Sequence, residues 1–377
     1  MQQLPVIEGV SPPLESAPAN AKRPLRTWYV VLTLCFFAAV IPETLTTTST
    51  SVAKIITQPT SLPFIMLFYG LADLLIREAL IRRHLGWVSL VLLGIAFSFI
   101  NEGVIAGTWY PGRYDGETYI SGISFVVAAG LTVFHLFISV ITPIAFIETI
   151  FPAHAGMPLL RRRGIIISAV VFVLVISLVG FVPAYRAYRL SVLAIALVLA
   201  LVALRLPAAR PRTLIATPPP SLWRLRWAGF FGMALLFLMI LVVPWIIQAI
   251  AGKRVFAAQA VTVIVLALFI VLLLRIGRRW TAHVGWSLRH TLALITGVLV
   301  APSLFMLLPW IWPSLEFVAV LPLFALLVVL DRRLRRRARL LMDGDAAHDE
   351  RYPQDLDRGG NLAQDHRADE RGGGREQ

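Results

Sequence analysis

Five ionisable side chains stand inside apolar stretches of this sequence: Glu43, Asp73, Glu102, His135 and Glu148. A charge in hydrocarbon is costly and marks a functional site by default. Carboxylates near an imidazole can share or relay a proton, bind a cation, or act as general base and acid. Glu102 has the strongest claim, because Asn101-Glu102-Gly103 sits in an otherwise apolar run with no basic residue nearby. His135 lies near the middle of a long apolar run, where a histidine can equally be a hydrogen-bonded helix residue. Glu43 follows Pro42 and precedes Thr44, Thr46, Thr47, Thr48, Ser49, Thr50 and Ser51. That pattern fits either the end of a short helix or a broken helix lining a cavity. Asp73 with Arg77, and Glu78 with Arg82, have the i,i+4 spacing of helix ion pairs. Glu148 can pair with Arg161, Arg162 or Arg163. The ion or substrate path read from these residues is Glu43, Asp73, Glu102 and His135; no metal site and no cofactor is read.

The elements that must position these groups are membrane helices. Of the 377 residues 58% are hydrophobic and 15% charged, and the mean hydropathy is +0.76. That excludes a soluble enzyme or a disordered regulator for most of the chain. Ten apolar runs near 28–49, 62–81, 86–108, 121–149, 164–184, 189–205, 227–250, 255–275, 289–309 and 315–331 predict an all-α polytopic bundle of about ten transmembrane helices. At about 1.5 Å per residue, Glu43 and Glu102 fall at similar depth in the outer half, and His135 is roughly one turn away.

Charge orients the bundle. With the N-terminus inside, all basic residues except Lys54, Arg113, Arg186, Arg189, Lys253 and Arg254 fall on the cytoplasmic side, and both termini are cytoplasmic. The net charge of +14 is thereby topological and calls for anionic lipid headgroups, not nucleic acid, as its partner. Tryptophans were expected at the two interfaces: Trp28, Trp87, Trp223, Trp227, Trp280 and Trp286 inside, and Trp109, Trp245, Trp310 and Trp312 outside. The lone Cys35 excludes an internal disulfide and a cysteine metal cluster. No cleavable signal peptide or lipidation motif is read at either end.

The organisation read along the chain has six parts. Residues 1–27 form a polar cytoplasmic N-terminus, and 28–150 carry helices 1–4 with the polar site. Residues 151–226 hold connector helices 5–6 and a basic loop, and 227–331 hold scaffold helices 7–10. A basic juxtamembrane segment, 332–342, precedes a charged tail, 343–377, with ten acids against five arginines and the composition of a disordered segment. His84-Leu85-Gly86-Trp87 is echoed by His283-Val284-Gly285-Trp286, and Val40-Ile41-Pro42 by Val242-Val243-Pro244, at nearly constant spacing. These echoes suggest a 4+2+4 duplication about an axis along the membrane normal.

Leu75-Ile76-Arg77-Glu78, Gly86-Trp87, Asn101-Glu102-Gly103 and the pattern His135…Ser139…Pro143-Ile144-Ala145…Glu148…Pro152 resemble a group of uncharacterised multi-pass bacterial membrane proteins. That resemblance implies the bacterial plasma (inner) membrane and no known activity. The spacing of Glu102 and His135 is also similar to that of the CPBP (CAAX protease and bacteriocin-processing) family of glutamic intramembrane proteases. There the resemblance implies Glu102 as a general base activating water and His135 stabilising the developing charge. The family's Glu-Glu pair is here Asn101-Glu102, and Ala106 stands where its arginine is found. No Walker A, HExxH, GxSxG or paired-cysteine motif is present. Three function classes stay open: a proton- or cation-coupled secondary transporter, a CPBP-like intramembrane protease or its non-catalytic relative, and a membrane scaffold or sensor.

Overall fold

The computed structural model describes residues 27–46, 57–58, 60–112, 119–180, 185–209, 213–242, 246, 249–250, 255–305, 321–337 and 340. Among these residues the chain forms ten helices and no sheet. They are α1 (Thr27–Thr46), α2 (Ser61–Arg82), α3 (Trp87–Ala106), α4 (Phe125–Ile150), α5 (Arg162–Val179), α6 (Arg186–Arg205), α7 (Leu222–Leu241), α8 (Val255–Trp280), α9 (Leu288–Phe305) and α10 (321–337). The expected runs are recovered to within a few residues at most ends; α5 ends at Val179 and α7 at Leu241, short of the expected 184 and 250, and of the expected run 315–331 the described part begins at 321. Residues 1–26, the Thr47–Ser51 hydroxyl run, Trp245, Trp310, Trp312 and the tail 343–377 lie outside the described residues.

Six of these helices, α3 to α8, are long and apolar enough to cross a membrane. Shorter apolar stretches are Thr27–Glu43 and Leu288–Leu304. On α5 and α6 large apolar side chains such as Ile167, Val173, Leu178, Leu197 and Val198 are exposed. A contiguous apolar exterior of that kind is what lipid covers. α3 and α4 are the most buried of the six.

Hydrogen bonds between loops show the alternation expected of a multi-pass chain. At one end, Ala209 N donates to His84 O at 2.8 Å, Ile215 N to Ala282 O at 2.9 Å, and Arg83 Nη1 to Leu204 O at 3.0 Å. These contacts gather the α2–α3, α6–α7 and α8–α9 turns, and Arg82 adds the α4–α5 turn through Leu160 O. This is the arginine-rich end. At the opposite end Ser124 N donates to Trp109 O at 2.9 Å, Tyr185 stacks on Tyr110 at 5.0 Å, and Phe125 N donates to Gln259 Oε1 at 3.0 Å.

A buried polar clamp holds the α4–α5 turn at the arginine-rich end. Arg77, 1% exposed, donates through Nε to Glu148 Oε1 at 2.7 Å, through Nη2 to His154 O at 2.9 Å and through Nη1 to Met157 O at 3.0 Å. Glu78 accepts from Leu159 N at 2.5 Å and from Arg82 Nε at 2.8 Å. Glu148 also accepts from Gly156 N at 2.8 Å. The expected Glu78–Arg82 pair is therefore present. The expected Asp73–Arg77 pair is not, because Arg77 turns away along α2 to meet Glu148. Nor does Glu148 pair with Arg161 to Arg163; Arg77 reaches it from inside the bundle.

The packing adds to three further expectations. Trp109 and Trp286 stand at helix ends, and both are buried against protein: Trp109 packs edge-on to Phe99 at 4.9 Å, and Trp286 stacks on His290 at 5.4 Å. α5 and α6 are more than connectors in packing terms, since Val175, Ile176, Val192, Ala196 and Ala203 join the same apolar core as α2, α3 and α4. The neighbour pattern is not duplicated either: α1 packs along α2, whereas its would-be copy α7 packs along α9 and touches α8 lightly. From Val328 onward the chain belongs to a separate compact unit, in which Arg335 Nη2 lies 2.6 Å from Asp331 Oδ2.

Candidate functional site

The polar side chains of α1 to α4 are assembled around two irregular turns. α3 is α-helical over Trp87–Ser98 and π-helical over Phe99–Ala106; α4 is α-helical over Phe125–Phe134, π-helical over His135–Ile141, and α-helical again over Thr142–Ile150. π-helical turns are rare and recur at functional sites. Here one holds Asn101 and Glu102 and the other holds His135 and Ser139, and Glu102 and His135 meet side chain to side chain.

α3 and α4 come into contact at Gly94. A Cβ there would stand 2.5 Å from Leu136 Cδ1, next in sequence to His135. On its other side α3 is packed by α6: a Cβ on Gly103 would stand 2.6 Å from Val192 Cγ1, and one on Gly107, at φ +66°, 2.7 Å from Arg189 Nη2. The left-handed backbone at Gly107 ends α3, as glycine readily permits.

His135 Nε2 lies 2.6 Å from Glu102 Oε1, and His135 Nδ1 lies 2.7 Å from Ser139 Oγ. Thr108 Oγ1 donates to Glu102 Oε2 at 2.6 Å. Asn101 Nδ2 donates to Glu102 Oε1 at 2.9 Å and to the Tyr69 hydroxyl at 2.9 Å, and lies 3.1 Å from His135 Nε2. The Tyr69 hydroxyl in turn hydrogen-bonds the Glu43 carboxylate. Glu43, Tyr69, Asn101, Glu102, His135 and Ser139 thus form one buried chain of polar groups across α1, α2, α3 and α4. Glu102 is 7% exposed and His135 5%. The depth gap of one turn expected between them is closed.

This arrangement satisfies the imidazole in both protonation states. A neutral ring donates through Nε2 to Glu102 and accepts at Nδ1 from the Ser139 hydroxyl. A charged ring donates at both nitrogens, and the Ser139 hydroxyl rotates to accept. Both ring nitrogens therefore keep a hydrogen-bond partner in either state.

Asp73 lies apart. It is 0% exposed, and among the described residues neither carboxylate oxygen has a hydrogen-bond partner. Glu43 stands in the last described turn of α1, which runs through Pro42 to Thr46. Among the described residues no group of three His, Cys, Asp or Glu side chains is placed to hold a metal ion.

Two site neighbours escaped the sequence. Tyr69 reads as an aromatic core residue, and only the fold shows that it joins Glu43 to Asn101. Arg189, counted as an outer-side basic residue, is buried; its Nη1 donates to Val104 O at 2.7 Å and to Gly180 O at 3.0 Å. It thereby sits on the C-terminal carbonyls of α3 and α5, the favourable place for a cation. The adjacent Tyr110 hydroxyl is pushed up to about 12 by burial, with Arg189 opposing the shift, and donates to Gly103 O at 2.8 Å.

The sequence matches an uncharacterized membrane protein family over residues 30–336, and the chain belongs to that family. No curated protein and no solved structure matches the chain.

Proposed function

We propose that this member of the uncharacterized membrane protein family is a proton-coupled secondary transporter, with Glu102 and His135 as its proton-exchange site. The observation that carries the reading is the 2.6 Å contact between Glu102 Oε1 and His135 Nε2, each held on a π-helical turn. The link through Asn101 and Tyr69 supports Glu43 as the next station of the path. A proton fits this site better than magnesium or calcium, which take six or more oxygen ligands. The arginine-rich end supports the further reading of a cytoplasmic face against anionic headgroups of a bacterial inner membrane, with both termini inside.

The same carboxylate–imidazole contact would serve CPBP-like peptide hydrolysis, with Glu102 activating water. Both Glu102 oxygens, however, already accept hydrogen bonds from neighbouring side chains, which favours proton exchange over water activation.

The test is reconstitution in liposomes loaded with a pH-sensitive dye, under an imposed pH gradient and potassium–valinomycin potential, with a panel of amino acids, sugars and organic ions. The expected result is solute-evoked proton movement by the wild type and none by Glu102→Gln. No evoked proton movement across the panel, with proteolysis of reporter peptides lost in Glu102→Gln instead, would move the assignment to the hydrolase.

A further inference from the structure

Tyr69, Asp73 and Arg77 lie four residues apart along α2 and are all buried, at 5%, 0% and 1% exposure. Each step rises about 6 Å along the helix. The column runs from the Glu43–Glu102–His135 cluster, through Asp73, to the Arg77–Glu148 clamp at the arginine-rich end. Asp73 is its one member without a hydrogen-bond partner among the described residues.

An ionised carboxylate in that position has nothing to offset its lost hydration, and an unpaired buried charge costs far more than a neutral polar group. The surroundings give it no charge to pair with. From α1 the thiol of Cys35 faces it, across a contact so close that a Cβ on Gly70 would stand 2.5 Å from Cys35 Sγ. On α2 itself, Tyr69 points to Asn101 and Glu43, and the Arg77 guanidinium is engaged with Glu148, His154 and Met157. No charged group of α3, α4 or α5 among the described residues acts on it. A lone carboxyl beside a thiol also lacks the oxygen ligands that a sodium or calcium ion requires.

We infer that Asp73 is a second proton-binding site, carrying its proton in the resting protein and passing it between the Glu43–Glu102–His135 cluster and the arginine-rich end. Release leaves a carboxylate and rebinding restores the acid, so no co-reactant other than the proton is involved. The relay rests on the transport reading proposed above, whereas the resting protonation of Asp73 does not.

The test uses the full chain, labelled with 13C-aspartate, in vesicles of phosphatidylethanolamine and phosphatidylglycerol. Infrared spectra at pH 7 should show a protonated-carboxyl carbonyl band that shifts with the label. The band should be lost in Asp73→Asn and in Asp73→Leu and kept in Glu102→Gln. Asn is isosteric and neutral, so Asp73→Asn should fold as the wild type does; Asp73→Leu gives a second, apolar replacement. A wild type without the band, or a band that survives both substitutions, overturns the proposal. On the same vesicles a pH jump should displace charge in the wild type with a reduced amplitude in Asp73→Asn; an unchanged amplitude overturns the relay. A wild type that shows the band but displaces no charge overturns the transport reading instead.

Discussion

At the scale of the residue, the account turns on how each buried polar group is satisfied. Ser139 allows His135 to hold or lose a proton, so Ser139→Ala should leave Nδ1 without a partner. The expected cost is about 1–3 kcal/mol, read from thermal unfolding, together with a change in the pH profile of proton exchange. Arg77→Ala strands Glu148 and releases two carbonyls of the α4–α5 turn. It should destabilise by about 3–5 kcal/mol, and Arg77→Ala with Glu148→Ala should lose less than the sum of the two singles, measured by denaturant titration in detergent. Glu102 and His135 were legible in the sequence as charges out of place in apolar runs. Tyr69 was not, since a tyrosine is compatible with any helix core and its role depends on α1 and α3 both reaching it. Arg77 looked like the partner of Asp73 by spacing, yet the tertiary approach of α4 offered it Glu148. That redirection is what leaves Asp73 bare.

At the scale of the element, two π-helical turns and a glycine set the geometry. Hydrophobic periodicity locates an apolar helix but is blind to a local change from i→i+4 to i→i+5 bonding, so the turns at Phe99–Ala106 and His135–Ile141 had no sequence signal. The glycines do carry one: Gly103 and Gly107 have the four-residue spacing that lets another helix approach closely, and α6 occupies that face through Val192 and Arg189. Gly94 is the more sensitive position for function. Gly94→Ala should cost about 1–3 kcal/mol by displacing the buried Leu136 side chain, and should weaken proton exchange more than its stability loss accounts for, because Leu136 is next in sequence to His135. The comparison of exchange activity at matched folded fraction, using fluorescence-detected size exclusion, checks this.

At the scale of the whole molecule, the alternation of loops between two ends was legible from arginine counts, because the positive-inside rule acts on loops independently of how helices pack. Neighbour relations were not legible: α5 and α6 enter the core, and α7 pairs with α9. In a Cys35→Ala background, a membrane-impermeant maleimide applied to intact cells should label Pro111→Cys and spare Arg161→Cys. Deleting residues 343–377 should leave proton exchange unchanged; loss of function with an intact membrane core would favour a scaffold or sensor. The most direct test of the central claim is charge displacement after a pH jump on proteoliposomes adsorbed to a solid-supported membrane, since it reads proton binding without knowledge of the solute. A transient current in the wild type, abolished in Glu102→Gln and in His135→Ala but retained in Asp331→Asn, is the expected result. A current of equal size in Glu102→Gln would contradict the assignment of the site.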